Sequence, residues 1–394
     1  MAAKSSTIEP NTDAAERAQI DAQVLDAIDR WVEGEVRPIA MEYDKADKYP
    51  EELVEQMKEL GLFGATIGTE YGGLGLSART YSKIVARICE VWMAPSGIFN
   101  SHLIMASCVE RAGTEAQKQH YLPKFATGEL RGGIGLTEPN AGTDLQRIRT
   151  VAKRDGDDYI INGTKTWISN GIKGNCLAVL VKTDPEADPP HRGMSMFLCE
   201  KGPGFTVGKK LEKLGYKSID SAELIFQDFR VSKDKLIGGV EGQGFVQTAG
   251  GLELGRINVA ARGVGMARGA LALALAYAKE RKTFNRPIAE HQAIQLKLAD
   301  MSTRAEAAAL LVQDAADRFD SGERCDLEAG RAKLFASEAA LENSIDGMRI
   351  FGGYSYSTEY EIERFYRDAP LLCIGEGTNE IQRVIIAKQL VARS

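Results

Sequence analysis

The sequence predicts an α+β fold, mainly α: an N-terminal helical domain, a small central β domain of barrel-like or sandwich type, and a C-terminal four-helix bundle. Three observations carry this. Apolar residues recur at helical spacing up to about residue 130, then give way to short β-like runs broken by turns, and long helical patterns return from about residue 240. The order is not the alternation of strand and helix that builds a doubly wound sheet, so a Rossmann-type dinucleotide site is not expected. With 394 residues the chain is too long for one small core. The expected divisions are a flexible N-terminus at 1–20, the N-terminal helical domain at 21–130, the β domain at 131–239 and the bundle at 240–394.

In the first stretch Leu25, Ile28 and Val32, then Leu53, Met57 and Leu60, then Ile84, Val85, Ile88 and Val91 fall on helical faces. Pro50 followed by Glu51 and Glu52 reads as a helix start, because proline tolerates that position and acidic groups complement the helix dipole. Gly72, Gly73 and Gly75 mark a connector. In the middle stretch Tyr159-Ile160-Ile161 and the segment Thr164 to Ile168 flank Asn162-Gly163, a pair that predicts a tight hairpin turn. Further strands are expected at 177–181, 194–199, 205–209 and 222–226, with Pro185, Pro189 and Pro190 marking a loop. In the last stretch Ile294, Leu298, Met301, Ala305, Ala308, Val312 and Ala315 form a narrow apolar seam of the kind found in antiparallel bundles. Ser321-Gly322 ends that helix and Asp326 is expected to cap the next.

Composition narrows the function. The chain is 44% hydrophobic and 26% charged, ordinary for a soluble globular protein, and its net charge of −6 gives no basic surplus for nucleic acid. No apolar run of about 18 residues suggests a membrane span. The first twenty residues mix Lys4, Glu9, Asp13, Glu16 and Arg17 with small residues and resemble neither a signal nor a transit peptide. Six cysteines scattered singly suggest reduced thiols and a cytoplasmic location. Four dispersed histidines make a metal site unexpected.

Five segments can carry chemistry, and each has a plainer account. Gly133 to Asp144 places Thr137, Asn140, Thr143 and Asp144 among glycines at a domain junction, where backbone N–H groups and hydroxyls can face a polar ligand; a linking turn explains it equally well. Trp167 leaves a strand beside Ser169 and Asn170, so it can stack on a planar ligand, although a core Trp is commoner. Arg281-Lys282-Thr283-Phe284 follows a long helix, either offsetting its dipole or clamping a pyrophosphate. Phe351-Gly352-Gly353 is either a helix end or a close approach of backbone to a cofactor. Glu376, between Gly375 and Gly377, precedes a helix that Thr378 or Asn379 can cap. The helix end lowers its pKa and apolar surroundings raise it.

In this order and spacing the five segments resemble the acyl-CoA dehydrogenase family over roughly Asp21 to Ala392. The resemblance implies FAD as cofactor and an acyl-CoA thioester as substrate. It implies that Leu136, Thr137, Gly142 and Thr143 line the flavin, with Thr143 also reaching the CoA moiety, and that Trp167, Ile168 and Ser169 flank the isoalloxazine ring. Arg281, Thr283, Gln292, Phe351, Gly352 and Gly353 would bind the adenine-diphosphate part across a subunit boundary, and Thr378 and Asn379 would contact the nucleotide. Arg256 and Gly377 would bind substrate. Glu376 matches the base that removes the α-proton while the β-hydrogen leaves as hydride to flavin N5, giving a trans-2-enoyl-CoA. Family members with the base elsewhere carry it immediately before the position of Arg256, which here is Gly255. The family further implies an electron-transferring flavoprotein as acceptor and a homotetramer built as a dimer of dimers.

Many relatives carry an aromatic residue before the base, where this chain has Gly375. The expectation is a branched, cyclic or otherwise bulky acyl group. The competing readings are a nitroalkane-type oxidase, which an Asp at the base position would favour, a decarboxylating member that needs a cation such as Arg147 or Arg149 for a second carboxylate, and a non-catalytic binding protein of the same fold.

Overall fold

A computed structural model describes residues 14 to 393. The expected flexible segment at 1–20 lies outside the described residues except for its last seven, which are helical. The N-terminal helices are α1 (Ala14–Trp31), continued by a π-helical turn into α2 (Arg37–Ala46), then α3 (Glu51–Glu59), α4 (Ala78–Cys89), α5 (Met93–Ala112) and α6 (Glu115–Thr127). Ser77 caps α4 by accepting from the Thr80 N–H, and Thr114 and Gln117 form a capping box at α6.

The middle of the chain is one curled seven-stranded sheet. Its strands are β1 (Gly132–Gly135), β2 (Val151–Asp155), β3 (Asp158–Ser169), β4 (Cys176–Lys182), β5 (Met194–Glu200), β6 (Phe205–Lys210) and β7 (Ser221–Ser232). The order is β1-β4-β2-β3-β7-β6, with β5 also pairing β4. Most neighbours are antiparallel; β1 and β2 each run parallel to β4.

The hairpin expected at Asn162-Gly163 is corrected. Residues 158 to 169 form one strand, and the turn lies earlier, at Gly156 between β2 and β3. Both halves of β3 pair with β7, and a bulge after Ile161 absorbs Asn162. The Asn162 amide pairs with Asp228 on β7, its Nδ2 donating at 3.1 Å and its Oδ1 accepting from the Asp228 N–H at 2.9 Å. Gly163 serves close approach, since a Cβ there would lie 2.4 Å from Thr150 Oγ1.

The C-terminal helices are α7 (Gly244–Glu280), α8 (Gln292–Asp320), α9 (Asp326–Phe351), α10 (Ile362–Ile374) and α11 (Asn379–Arg393). A small hairpin of β8 (Lys282–Thr283) and β9 (Arg286–Pro287) joins α7 to α8. The seam on α8 buries Met301, Ala305, Ala308, Val312 and Ala315. Asp326 does not cap α9: Cys325 holds the capping position, and Asp326 lies in the first turn with Arg324 2.6 Å away.

Helix α7 is the axis of the molecule, packing against α4, α5, α8, α9 and α10. The sequence suggests no membrane span, yet α7 is long and apolar enough to cross a bilayer by length and composition. About two thirds of its apolar window is buried inside the protein, so its hydrophobicity serves the core. Glycines allow its neighbours to come close. A Cβ on Gly265 would lie 2.2 Å from the Ala86 carbonyl oxygen of α4, and one on Gly263 would lie 2.5 Å from that of Ala336 on α9.

Candidate active site

Glu376 follows α10 on the short loop into α11, with a left-handed backbone at φ 51°. A non-glycine residue in that region is strained, and such strain persists where surroundings dictate it. The surroundings here are explicit. Lys333, fully buried on α9, donates from Nζ to the carbonyl of Gly377 at 2.9 Å and to Asn379 Oδ1 at 2.8 Å. Gln382 Nε2 donates to the Gly377 carbonyl at 3.3 Å. Thr378 caps α11 by accepting from the Ile381 N–H at 3.4 Å. Burial pushes the Lys333 ammonium down to about 8, with nearby acidic groups opposing.

This loop turns the Glu376 side chain inward, between α5 and α7. Oε1 accepts from Asn100 Nδ2 at 3.1 Å. Oε2 is buried and has no hydrogen-bond partner among the described residues. A Cβ placed on Gly255 would lie 2.3 Å from that oxygen, so the carboxylate keeps this position only because α7 carries glycine there. Behind Asn100 a polar chain continues: Asn258 Nδ2 donates to Tyr81 Oη at 2.8 Å, and Tyr81 Oη donates to Asn100 Oδ1 at 3.3 Å. Burial raises the Glu376 pKa above the ordinary carboxylate value, although Arg262, the Asn100 hydrogen bond, Lys333 and Arg256 all favour the charged form. A carboxylate so placed is a Brønsted base kept from water, with one oxygen free to take a proton.

Beside it, β3 and the loop after β1 form a second group. Lys165 is fully buried, and its Nζ donates to Glu138 Oε1 at 2.8 Å and to the Leu136 carbonyl at 3.1 Å. Glu138 also accepts from the N–H groups of Arg149 and Thr150, and the Thr166 N–H donates to the Thr137 carbonyl at 2.9 Å. The loop carrying Leu136, Thr137, Gly142 and Thr143 is thereby pinned to the strand carrying Trp167. Burial pushes Lys165 down to about 8 against the attraction of Glu138, and Lys165 holds the Glu138 carboxyl below its ordinary value despite burial. A bulge between Lys165 and Ile168 throws Trp167 outward, 60% exposed and at φ 61°. Ser169 is half-buried, and Gly142 and Thr143 are exposed. Ile168 faces the core of the sheet, so only its backbone is open to a ligand. Asn379 is likewise buried, its amide shared among Lys333, Ser337 and Glu338.

A third group lies at the other end of α7. Tyr277, Arg281, Thr283, Ile288, Phe351, Gly352 and Gly353 line one open cavity, with Phe351 stacked on Tyr277 at 4.1 Å. Gln292, exposed at the start of α8, stands outside this lining next to His291, which bonds Thr283 Oγ1 at 3.0 Å. No contact among the described residues joins this group to Glu376 within the chain. Arg256 is mostly buried, 3.9 Å from Asp326, and its Nε lacks a partner. Arg147 and Arg149 line a separate cavity with Asn140 and Lys182.

Sequence reasoning missed Asn100, Asn258, Arg262, Lys333 and the Glu138–Lys165 pair. The available signal was a polar or charged residue on an otherwise apolar helix, as with Asn258 and Arg262 on α7.

The chain matches the family models for the acyl-CoA dehydrogenase N-terminal domain at residues 20–129, the middle domain at 133–229 and the C-terminal domain at 242–391. It is 42% identical to an acyl-CoA dehydrogenase of Bacillus subtilis (strain 168) over 359 residues, covering 91% of this chain and 94% of that one. It is 39% identical to a 3-(aryl)acrylate reductase of Clostridium sporogenes over 364 residues, covering 92% of this chain and 96% of that one. Among solved structures, butyryl-CoA dehydrogenase from Megasphaera elsdenii superposes with a TM-score of 0.91 at 35% identity, covering 98% of this chain and 100% of that one. With all three models in register along a helical, β and helical architecture, the chain belongs to the acyl-CoA dehydrogenase family of oxidoreductases.

Proposed function

We propose that this enzyme oxidises the α,β-bond of an acyl-CoA thioester, with Glu376 as the base. The observation that carries this reading is the Glu376 carboxylate: buried, raised in pKa, held at one oxygen by Asn100 and unpartnered at the other. The α-proton would go to Oε2. The resulting enolate needs donors at the thioester oxygen, and the N–H of Glu376, on a loop held by Lys333 and Gln382, would serve as one. Water excluded from the pocket by the acyl chain would raise the carboxylate's pKa further and match it to the proton it removes.

FAD is the family's cofactor, and the residues present fit it. When bound it supplies the acceptor for the β-hydride. An exposed Trp167 offers a face for a planar ring, the pinned loop at Leu136, Thr137, Gly142 and Thr143 offers polar backbone, Ser169 follows Trp167 by two residues on β3, and Thr378 caps α11 just after the base. Gly352 and Gly353 have open space where a Cβ would be, beside Arg281 and Thr283, which suits a pyrophosphate. Because this last group is separate from Glu376 within the chain, a neighbouring subunit would complete each site. Gln292 would join the same cross-subunit contact, Asn379 would act through its backbone, and Arg256, Gly377 and Thr143 would meet the substrate.

Gly375 has φ −69° and ψ 154°, a conformation open to any residue, and only Leu371 lies near its missing Cβ. Its glycine is therefore not a backbone requirement, and it leaves room for a branched or bulky acyl group. An electron-transferring flavoprotein is the proposed acceptor. Anaerobic titration of the holoenzyme with a panel of acyl-CoAs tests the reading. Bleaching of the flavin absorbance is expected with at least one thioester, and no bleaching with any of them would overturn it.

A further inference from the structure

Arg262 lies on α7 seven residues after Gly255, two helical turns along the face that meets Glu376, with Asn258 between them. It is 4% exposed. Its Nη1 donates to Tyr216 Oη at 3.0 Å, while Nε and Nη2 are buried without partners among the described residues. The Glu376 carboxylate favours the charged guanidinium through space, with no hydrogen bond between them. Nε and Nη2 form one edge of the guanidinium, whose two parallel N–H groups match a carboxylate bidentately. Asn258 Oδ1 and Glu376 Oε2, on the same side of α7, are buried and unpartnered too.

Burying a guanidinium with no carboxylate in direct contact is costly. The Tyr216 ring, 5.7 Å away, offsets only a small part of that cost. Glu376 takes its hydrogen bond from Asn100 and none from Arg262, so pairing with the base does not account for the free edge. Gly97 on α5 is shaped to the same arrangement, since a Cβ there would lie 1.4 Å from Tyr216 Oη. Arg147 and Arg149 line a cavity with Asn140 and Lys182 whose lining includes neither Arg262 nor Glu376.

We propose that Arg262 is a specificity residue that receives a second carboxylate at the far end of the acyl group, so that the substrate is the CoA monothioester of a dicarboxylic acid. Its Cα lies about 10 Å along α7 from Gly255, and side chains on a helix lean toward the N-terminus. The gap between the base and the guanidinium therefore suits a short acyl chain, on the order of four to six carbons. Gly375 leaves space beside it for a branch. The proposal rests on the dehydrogenase reading and refines its substrate class.

The test uses purified holoenzyme and non-oxidisable CoA thioethers about five carbons long, ending in either a carboxylate or a methyl group, with binding read by calorimetry and by flavin spectral change. The wild type is expected to bind the carboxylate form on the order of 100-fold more tightly. Arg262→Gln should bring that ratio close to one, and Arg262→Lys should keep part of it. Turnover of the matching thioesters should follow the same ratios. Equal or weaker binding of the carboxylate form by the wild type would overturn the proposal, whatever the variants do. So would an Arg262→Gln variant that weakens both thioethers equally and shifts only the pH profile on neutral thioesters, because Arg262 would then tune Glu376. Failure of the dehydrogenase reading is a separate outcome, in which no thioester of either kind bleaches the flavin.

Discussion

At the scale of single residues, the site turns on how a carboxylate is kept both basic and dry. Glu376→Gln should slow flavin reduction by acyl-CoA by about 10²–10⁴-fold in stopped-flow rate, while FAD content is retained. The rate in the wild type should fall as pH drops through the raised pKa of Glu376, which lies above the ordinary carboxylate value. Stability runs the other way. A buried carboxyl with a raised pKa holds its proton in the folded state after the unfolded chain has lost it, so folding is favoured less as pH rises through that window. Glu376→Gln should therefore raise the melting temperature near neutral pH. The gain should shrink as pH falls through the folded pKa and vanish below the ordinary carboxylate value of the unfolded chain. Gly255→Ala places a Cβ 2.3 Å from Oε2 and displaces the base without removing it. A loss of about 100-fold in reduction rate is expected, read against unchanged melting and flavin content.

At the scale of elements, the helical seam on α8, the start of α3 and four of the strands were legible because each depends on local periodicity and turn chemistry. Asn162-Gly163 misled for a physical reason: its partner Asp228 is 66 residues away, and pairing along β7 overrides the local turn preference. Glu376 as a candidate base was legible only in combination with the other segments. Asn100, which holds it, stands 276 residues earlier and carries no local signal. The Glu138–Lys165 pair was hidden in the same way. It ties β3 to the loop after β1, and removing one partner strands a buried charge. Lys165→Met should cost about 3–5 kcal/mol in chemical denaturation, and Lys165→Met combined with Glu138→Leu should cost less than the single change.

At the scale of the whole molecule, α8 and the β8–β9 hairpin leave large apolar side chains exposed. Leu296 is 61% exposed, Leu310 59%, and Phe284 90% beside the Arg281 cavity. Patches of this kind mark association surfaces. Leu296→Glu with Leu310→Glu should lower the mass seen by sedimentation, and FAD affinity should fall by about 10-fold or more if a neighbouring subunit completes the cofactor site. Deep inside, α7 meets its neighbours backbone to backbone at Gly263 and Gly265, just past Arg262. A Cβ at either position would clash with a facing carbonyl oxygen, so added bulk there would push the helix away from its neighbours. Selectivity in this scaffold has to evolve by exchanging the side chains that α7 displays, as on a fixed rail, and a lineage that enlarged either glycine would shift base, amide and guanidinium together.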